Sequence, residues 1–176
     1  GHGRLNMTRL ALNLSKFING VAKRHRDSSR EMFPGYAIHA ITNGIHPYTW
    51  TCESFRKIYD EYLPGWANEP ELLVRGDIIP DEEIWQAHRE AKRVLIDHVN
   101  KTTNVDMDYD TLTVGFARRA TGYKRANLIF SDLEKLKKVN RKGKIQIVLA
   151  GKAHPKDETG KRVIQDEVHT QEQFFD

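Results

Sequence analysis

Two short apolar segments, separated by a charged segment with helical periodicity, occupy the last third of the chain and constrain its fold more than any other feature. A strand is predicted from Leu112, a helix over Tyr123–Val139, a second strand over Ile145–Ala150 and a further helix over Thr159–Phe175. The helix between the two strands is long enough for a crossover that makes them parallel. The sequence therefore predicts an α/β fold with a parallel strand–helix–strand unit in its C-terminal portion.

No third strand is predicted before Asp176, the last residue. Parallel sheets are ordinarily covered on both faces, and a sheet of two parallel strands would leave its edges and a helix face without partners. We therefore interpret the 176 residues as part of a larger protein.

The residues before this unit are predicted to be mainly helical. Apolar residues recur at steps of three and four from Asn6 to about Met32, with Asn6 as the predicted N-cap. At Gly20 we expect either a break that divides the helix or a close backbone approach. A short strand is predicted over Tyr36–Ile41. A tight turn is predicted at Thr42–Gly44, because Asn-Gly is a strong turn signal.

Two further helices are predicted at Thr51–Tyr62 and Pro80–Thr103. The second begins with proline and three acidic residues, which suit the positive end of a helix dipole. The three tryptophans, Trp50, Trp66 and Trp85, are interpreted as packing residues rather than platforms for sugar rings.

Composition excludes several classes of protein. Hydrophobic residues make up 39% of the chain and charged residues 30%, which provides material for a core and does not fit a disordered tail. No apolar run approaches the roughly 18 residues of a membrane span, and the N-terminus lacks the apolar region of a signal peptide. Because the single cysteine, Cys52, cannot form an intramolecular disulfide, we expect a cytoplasmic protein. The histidines show no metal-ligand spacing, so no metal site is predicted.

Charge is distributed unevenly, although the net charge is only +4. Residues 118–144 contain ten Lys/Arg and two Asp/Glu, whereas residues 53–110 contain seven Lys/Arg and fourteen Asp/Glu. The basic segment must face an anion, water or the acidic segment. A nucleic-acid-binding module is one function that this charge permits, but we do not expect the interleaved exposed aromatic residues that would support it.

The most informative segment, Phe116–Arg125, joins the first predicted strand to the following helix. Ligands bind at this end of the strands in open α/β sheets, and the free N–H groups of a helix start attract anions. The segment holds four cations, and Gly122 permits a close turn, so a phosphate or a phosphorylated cofactor is the predicted occupant. A solvated charge patch carries equal weight as an alternative. The second strand ends at Gly151 and Lys152, which indicates one anionic site shared by two strand ends.

Other motifs are less informative. Neither a nucleotide-hydrolase phosphate loop nor a dinucleotide-binding glycine motif is present in the sequence, which disfavours ATP and NAD. Asn43 and His46 could hydrogen-bond a sugar hydroxyl. From the residues alone we favour the structural alternative, in which Asn43 caps its own turn and His46 packs beside Trp50.

Several blocks of sequence together resemble the α-glucan phosphorylases, the glycogen and maltodextrin phosphorylase family, and particularly its shorter prokaryotic branch. The resemblance runs through nearly the whole chain. In chain order the blocks are Asn6–Thr8, Asn19–Ala22 with His25, Ile41–His46 ending at Trp50, Ile79–Glu83, Phe116–Arg125 and Ala150–Pro155.

The resemblance implies a two-domain glycosyltransferase architecture of the GT-B type, with the active site in a cleft between two Rossmann-like halves. Residues 1–46 would end the N-terminal half. Residues 47–110 would form a helical interdomain segment that starts the second half, and residues 111–176 would begin an incomplete C-terminal Rossmann-like half. The family transfers terminal α-1,4-linked glucose to inorganic phosphate with retained configuration, which releases glucose 1-phosphate. It uses pyridoxal 5'-phosphate, whose phosphate group serves as a proton relay.

Three predicted catalytic residues follow from the resemblance. Arg119 and Lys124 match the family's cations that hold the substrate phosphate beside the cofactor phosphate. Tyr123 matches the tyrosine that lies near the glucosyl group and those phosphates. Arg119 and Lys124 are thus also predicted to bind substrate.

Three further residues match sugar-binding and cofactor-binding positions of the family. Asn43 matches the asparagine that hydrogen-bonds the glucosyl unit, Val21 matches a position whose backbone lines the sugar pocket, and Lys152 matches a lysine near the cofactor. The histidine–glutamate pair of the glycogen phosphorylases is replaced here by Thr121 and Gly122. The family's cofactor-attachment lysine and its glycine-rich phosphate loop have no counterpart in these residues, so the chain alone is expected to be inactive.

A nucleotide-sugar-dependent glucan synthase of the same GT-B architecture is the alternative enzyme. Arg119 and Lys124 would then meet the diphosphate of a sugar nucleotide. For the phosphorylase, the expected partners are an α-1,4-glucan, inorganic phosphate and the remainder of the parent enzyme. Neither a membrane nor a nucleic acid is expected as a partner.

Overall fold

The computed structural model describes residues 5–175, with the side chains of residue 167 and of residues 171–175 outside that description. The chain divides into two compact units, with the boundary between Ile78 and Ile79. Each unit has its own pair of parallel strands. Among the helices of residues 5–175, none combines the length and the apolar character that crossing a lipid bilayer requires.

The first unit surrounds a short strand pair with helices. β1 and β2 run parallel, with the last residue of β1, Gly20, opposite Ala40 of β2. The elements are, in chain order, α1 (Met7–Leu14), β1 (Ile18–Gly20), α2 (Lys23–Met32), β2 (Ile38–Ala40), α3 (Pro47–Trp50), α4 (Glu53–Tyr62) and a 3-10 helix over Pro70–Ile78.

The helix predicted from Asn6 to about Met32 is confirmed where α1 and α2 form, and it is wrong between them, where β1 forms. Asn6 caps α1 as predicted, because its side chain accepts a hydrogen bond from the Arg9 amide at 2.9 Å. Instead of a simple helix break, Ile18–Gly20 form a strand. Gly20 is buried, and a Cβ atom there would lie 2.7 Å from the backbone nitrogen of Arg26. Glycine is therefore required for close packing of β1 against the start of α2.

The strand predicted over Tyr36–Ile41 is confirmed as β2, whereas the tight turn predicted after it is wrong. The Ile41 amide donates to the Gly20 carbonyl and the Asn43 amide donates to the Val21 carbonyl, each at 3.0 Å. The pairing of β1 with β2 thus continues beyond both strands. These long-range hydrogen bonds override the local preference of Asn-Gly for a turn.

Trp66 forms the centre of the first unit's core. It is fully buried, its Nε1 atom donates to Asp60 at 2.8 Å, and its ring meets that of Tyr59 edge-on with 5.3 Å between centroids. The packing prediction is confirmed for Trp66. For Trp50, which is 77% exposed, and for Trp85, which is 61% exposed and stacks on the His88 ring with 5.2 Å between centroids, packing stays a prediction.

The second unit contains the strand–helix–strand pattern. β3 and β4 are parallel and in register, from Leu112 opposite Ile145 to Ala117 opposite Ala150. The elements are α5 (Asp81–Thr103), β3 (Leu112–Ala117), α6 (Leu133–Lys142), β4 (Ile145–Ala150) and α7 (Glu158–Phe175). This pairing confirms the α/β class, and the predicted bounds of β3, β4, α5 and α7 agree with the structure to within a few residues.

The helix predicted over Tyr123–Val139 is wrong in its first half. Arg125 has a φ of 53°, in the left-handed region, which a continuous α-helix cannot contain. The Asp132 side chain then caps a new helix by accepting from the Lys135 amide at 2.9 Å. The predicted helix is replaced by two 3-10 turns and a shorter α-helix, at Gly122–Lys124, Ala126–Phe130 and α6.

The loop before β3 is held in register by Asp108 and Gln146. The Gln146 side chain, on β4, donates to the Asp108 carbonyl at 2.7 Å and to the Thr113 hydroxyl at 2.8 Å. The Asp108 carboxylate accepts from the amides of Thr111 and Asp110 at 2.6 and 2.9 Å. Hydrogen bonds from the side chain and backbone of Thr111, followed by that from the Asp110 backbone, lower the pKa of Asp108 below its ordinary value.

Candidate active site

The loops that follow β3 and β4 lie side by side. The Arg118 amide donates to the Ala150 carbonyl and the Ala120 amide donates to the Lys152 carbonyl, each at 3.0 Å. Parallel pairing therefore extends three residues past the end of β3. It places the backbones of Arg119 and Lys152 on neighbouring segments at the C-terminal edge of the sheet, where ligands of open α/β sheets bind.

Two glycines allow this edge to be compact. A Cβ atom on Gly151 would lie 2.0 Å from the Arg118 carbonyl oxygen, which is far inside van der Waals contact. A Cβ atom on Gly160, in the first turn of α7, would lie 2.3 Å from the Ala120 carbonyl oxygen. The backbone that carries Arg119 is thus enclosed by β4 on one side and by α7 on another.

Lys124 and Tyr123 lie in the 3-10 turn that follows this loop. The Lys124 amide donates to the Thr121 carbonyl at 3.0 Å, and its ammonium nitrogen lies 4.7 Å from the centroid of the Tyr123 ring. Because no α-helix begins within Phe116–Arg125, the predicted helix start does not contribute N–H groups to an anion site. The four cationic side chains of this segment therefore supply most of the attraction for an anion.

The predicted cations are available to a ligand. Arg119 and Lys152 are exposed, and Lys124 is partly buried. None of these three forms an ion pair with a carboxylate in the part of the chain that the structure describes. Tyr123 is 70% exposed. Acidic side chains of the described residues therefore leave the positive charges of Arg119, Lys124 and Lys152 unneutralised.

A buried hydroxyl without a partner adjoins the same loop. The Oγ1 atom of Thr121 is shielded from solvent, and among the described residues it has no hydrogen-bond partner. A crevice of about 180 Å³ opens at the ends of both strands, and its walls include Arg118, Ala120, Gly151 and Ile164. A hydroxyl and a guanidinium at the strand ends are groups that hydrogen-bond phosphate oxygens.

Val21 and Asn43 are brought together in the first unit. The Asn43 amide donates to the Val21 carbonyl at 3.0 Å, and both side chains are exposed. The Val21 amide donates in turn to the Nδ1 atom of His25 at 3.1 Å. The hydrogen bonds of this short extended segment are thus made by the backbone, and the Asn43 amide side chain is left on the surface.

Comparison with known proteins decides the family. The sequence profile of the carbohydrate phosphorylases matches residues 1–171. The chain belongs to the carbohydrate phosphorylase family. It is 40% identical to a glycogen phosphorylase of Aquifex aeolicus over 91% of the chain, and 36% identical to a maltodextrin phosphorylase of Thermococcus litoralis over 92% of it. A glycogen phosphorylase of Mycobacterium tuberculosis is 29% identical over 92% of the chain.

This phosphorylase-family chain spans about a quarter of the length of these relatives, since it covers 27%, 23% and 22% of them respectively. The residues predicted as site residues fall into two groups, one in each unit. Val21 and Asn43 are adjacent in the first unit. Arg119, Tyr123 and Lys124, with Lys152 on the neighbouring loop, lie in the second.

The sequence did not predict the buried hydroxyl of Thr121 or the hydrogen bond between His25 and Val21. Thr121 was noted only as a departure from the family, because nothing local shows that its hydroxyl is buried without a partner. The hydrogen bond between His25 and Val21 had only a weak signal in the sequence. Ala22 has no side-chain acceptor to cap a helix, and a histidine ring that can accept follows three residues later. The His46 ring caps α3 by accepting from the Thr49 amide at 3.3 Å, and its predicted packing beside Trp50 stays a prediction.

Among the described side chains, no three His, Cys, Asp or Glu residues are close enough to hold a metal ion together. The groups at the strand ends are instead cations and hydroxyls, which are donors to oxyanions. Arg118, Arg119, Lys124 and Lys152 supply charge, and Thr121 supplies an unused hydroxyl. This donor set fits a phosphate group better than a metal.

Proposed function

We propose that the protein carrying this chain is an α-glucan phosphorylase that transfers the terminal α-1,4-linked glucose of a glucan to inorganic phosphate and releases glucose 1-phosphate. The observation that carries the proposal is a loop of unneutralised cations at two adjacent strand ends, in a chain of the carbohydrate phosphorylase family. Its glycogen and maltodextrin phosphorylase relatives support the same reaction. We place this enzyme in the cytoplasm.

Arg119 and Lys124 would bind the substrate phosphate. Two phosphate groups close together in a site with little water repel each other strongly, so fixed cations are needed to offset their charge as it redistributes in the transition state. Lys124 is already oriented by its contact with the Tyr123 ring, which reduces the freedom that it loses on binding. Tyr123 would lie near the glucosyl group and the phosphates.

The sugar would be bound by residues of the first unit. Asn43 can both donate and accept through its side-chain amide, which suits a glucosyl hydroxyl. The backbone of Val21 would line the same pocket. The chain would contribute to a GT-B architecture, with residues 1–46 ending its N-terminal half, residues 47–110 linking the halves and residues 111–176 beginning its C-terminal half.

The residues at the strand ends fit the phosphate of pyridoxal 5'-phosphate. Lys152 is a cation without a described carboxylate partner, and the Thr121 hydroxyl is buried without a hydrogen bond. When bound, the cofactor supplies a phosphate group that relays a proton. Lys152 would hold that group by charge, and Arg119 and Lys124 would keep the substrate phosphate beside it. The attachment lysine is expected outside these 176 residues.

The test uses the complete protein that carries this chain. Lys124→Ala is expected to lower the turnover number for glucose 1-phosphate release by roughly 100-fold or more, as loss of an electrostatic stabiliser commonly does. Lys138→Ala removes an exposed lysine of α6 from the same basic segment, and it is expected to leave turnover unchanged. Phosphate-dependent release of glucose 1-phosphate from maltodextrin is the measurement.

Three results would contradict parts of this proposal. Equal turnover of the Lys124→Ala and Lys138→Ala proteins would remove Lys124 from the site. Glucosyl transfer from a nucleotide sugar, without any transfer to phosphate, would favour the glucan synthase. Absence of a borohydride-trappable pyridoxal group in the complete protein would exclude the cofactor.

A further inference from the structure

His25 links the start of α2 to the segment that holds Asn43. Its Nδ1 atom accepts a hydrogen bond from the Val21 amide at 3.1 Å, while the Val21 carbonyl accepts from the Asn43 amide at 3.0 Å. Both polar groups of the Val21 backbone are therefore engaged, one by His25 and one by Asn43. A shift of Val21 would move Asn43 with it.

The imidazole satisfies a backbone amide just before α2. Ala22 is the N-cap residue of α2 and has no side-chain acceptor, although its carbonyl accepts from the Arg26 amide at 2.9 Å. His25 is the third residue of the helix, and its ring reaches back to a free amide before the helix, as glutamate does in a capping box. Without this ring the Val21 amide would have no described partner.

The His25 ring is exposed on one side and lies close to Gly20 on the other. A Cβ atom on Gly20 would lie 2.9 Å from the His25 Nδ1 atom and 2.7 Å from the Arg26 backbone nitrogen. The ring and the first turn of α2 thus rest directly on the end of β1. At the other end of α2, the Arg30 side chain donates to the Ile38 carbonyl of β2 at 2.8 Å. The helix is fastened to both strands that precede the Val21 and Asn43 segments.

We propose that His25 is a positioning residue that sets the place of Asn43 through the Val21 backbone. The inference rests on the proposed function, because Asn43 matters to activity only if it binds the glucosyl unit. The role requires a neutral ring with its proton on Nε2, since Nδ1 must accept. His25 acts through Val21 and need not touch the substrate.

Three substitutions in the complete protein test this role. His25→Asn keeps an acceptor oxygen two bonds from Cβ, where Nδ1 lies, whereas His25→Gln moves its acceptor one bond further out. His25→Ala removes the acceptor. Arg24→Ala, an exposed neighbour on the same helical turn, is the matched control.

In His25→Ala and His25→Gln, Asn43 is expected to lose its orientation. This loss should raise KM for maltodextrin and lower kcat/KM by roughly 10- to 100-fold. The Asn variant is expected to recover most of that loss, and the Arg24→Ala protein to behave as wild type. A purely structural role would lower the active fraction, and hence kcat, without changing KM. In the 176-residue chain, amide hydrogen exchange at Asn43 should become faster in His25→Ala and remain slow in His25→Asn.

Two results would overturn the proposal. One is an unchanged KM in His25→Ala while Asn43→Ala is inactive, which would leave the proposed function standing. The other is an equal loss of kcat/KM in His25→Asn and His25→Ala, which would show that the hydrogen-bond acceptor of residue 25 is not the relevant group. Full activity of both Asn43→Ala and Lys124→Ala would instead contradict the proposed function itself.

Discussion

The Arg118 carbonyl oxygen lies so close to Gly151 that it leaves no room for a Cβ atom there. A Cβ atom would approach that oxygen to 2.0 Å, and both atoms belong to backbone that pairing holds in place. A substitution here cannot be relieved by rotating a flexible side chain. The identity of this one residue therefore determines how closely the two cation-bearing loops approach.

Gly151→Ala is expected to lower the free energy of unfolding of the chain by about 1–3 kcal/mol, the usual cost of overpacking. The strand ends must separate to admit the methyl group. Urea denaturation followed by circular dichroism measures this change.

Gly115→Ala provides a control on β3 itself. A Cβ atom on Gly115 meets nothing within 4 Å, so its effect should stay within about 0.5 kcal/mol. Equal stability of the two variants would show that the loops approach less closely than described here.

Among the elements, α6 begins later than its apolar periodicity predicts. Its start is fixed by Asp132, whose carboxylate accepts from the Lys135 amide at 2.9 Å. Asp132→Ala should lower the free energy of unfolding by about 0.5–2 kcal/mol through loss of the N-cap. Asp132→Ser should retain most of the stability, because serine also accepts from a helix amide. Thermal unfolding of the three proteins compares them, and equal losses in both variants would contradict the capping role.

The Asp108 carboxylate, in the loop before β3, should make the free energy of unfolding depend on pH. Hydrogen bonds from Thr111 and Asp110 keep the folded-state pKa of Asp108 below its unfolded value, so the carboxylate stabilises the fold above about pH 4, the ordinary pKa of aspartate. This contribution is lost as pH falls through the lowered folded-state pKa. The difference in unfolding free energy between wild type and Asp108→Asn should therefore shrink from pH 6 towards the acid limit.

Asp106→Asn is the control for this pH dependence. Asp106 is exposed and accepts no hydrogen bond from the described residues, so its substitution removes no contact from the loop before β3. Urea denaturation at a series of pH values measures both differences. A difference for Asp108→Asn that does not vary with pH would contradict the assignment.

Elements with a strong local signal could be predicted, and elements decided by distant contacts could not. The length and acidic start of α5 and the apolar runs of β3 and β4 are local features, and all three were predicted. The three-residue strand β1 carries no strand signal and exists because β2 pairs with it. The left-handed Arg125, because of which no α-helix starts within Phe116–Arg125, also has no local signal, since the residue is neither glycine nor asparagine.

The same distinction applies to the candidate site. The cations of Phe116–Arg125 could be placed at a strand end because the loop follows directly from the strand. The bond between Asn43 and Val21 joins residues far apart in sequence, and only the fold reveals it. The unsatisfied Thr121 hydroxyl depends on what surrounds it in three dimensions and could not have been inferred from its neighbours in the chain.

At the scale of the whole molecule, the chain contains two groups of predicted site residues and about a quarter of the length of its relatives. The resemblance to phosphorylases assigns the cofactor lysine and a glycine-rich phosphate loop to segments outside these 176 residues. The isolated chain is therefore expected to release no glucose 1-phosphate from maltodextrin and phosphate, even with added pyridoxal 5'-phosphate. A coupled assay that reduces a nicotinamide detects the product, with the complete protein as the positive control, and turnover by the isolated chain would contradict this division of the site.

The hydrogen bond from Ala120 to Lys152, beyond the end of the sheet, has a mechanical consequence. It joins the backbones of two loops that would otherwise fluctuate separately, while the exposed side chains of Arg119 and Lys152 stay free to rotate. A displacement of one loop backbone should therefore move the backbone of the other. A spin label on either loop would consequently report the movement of both.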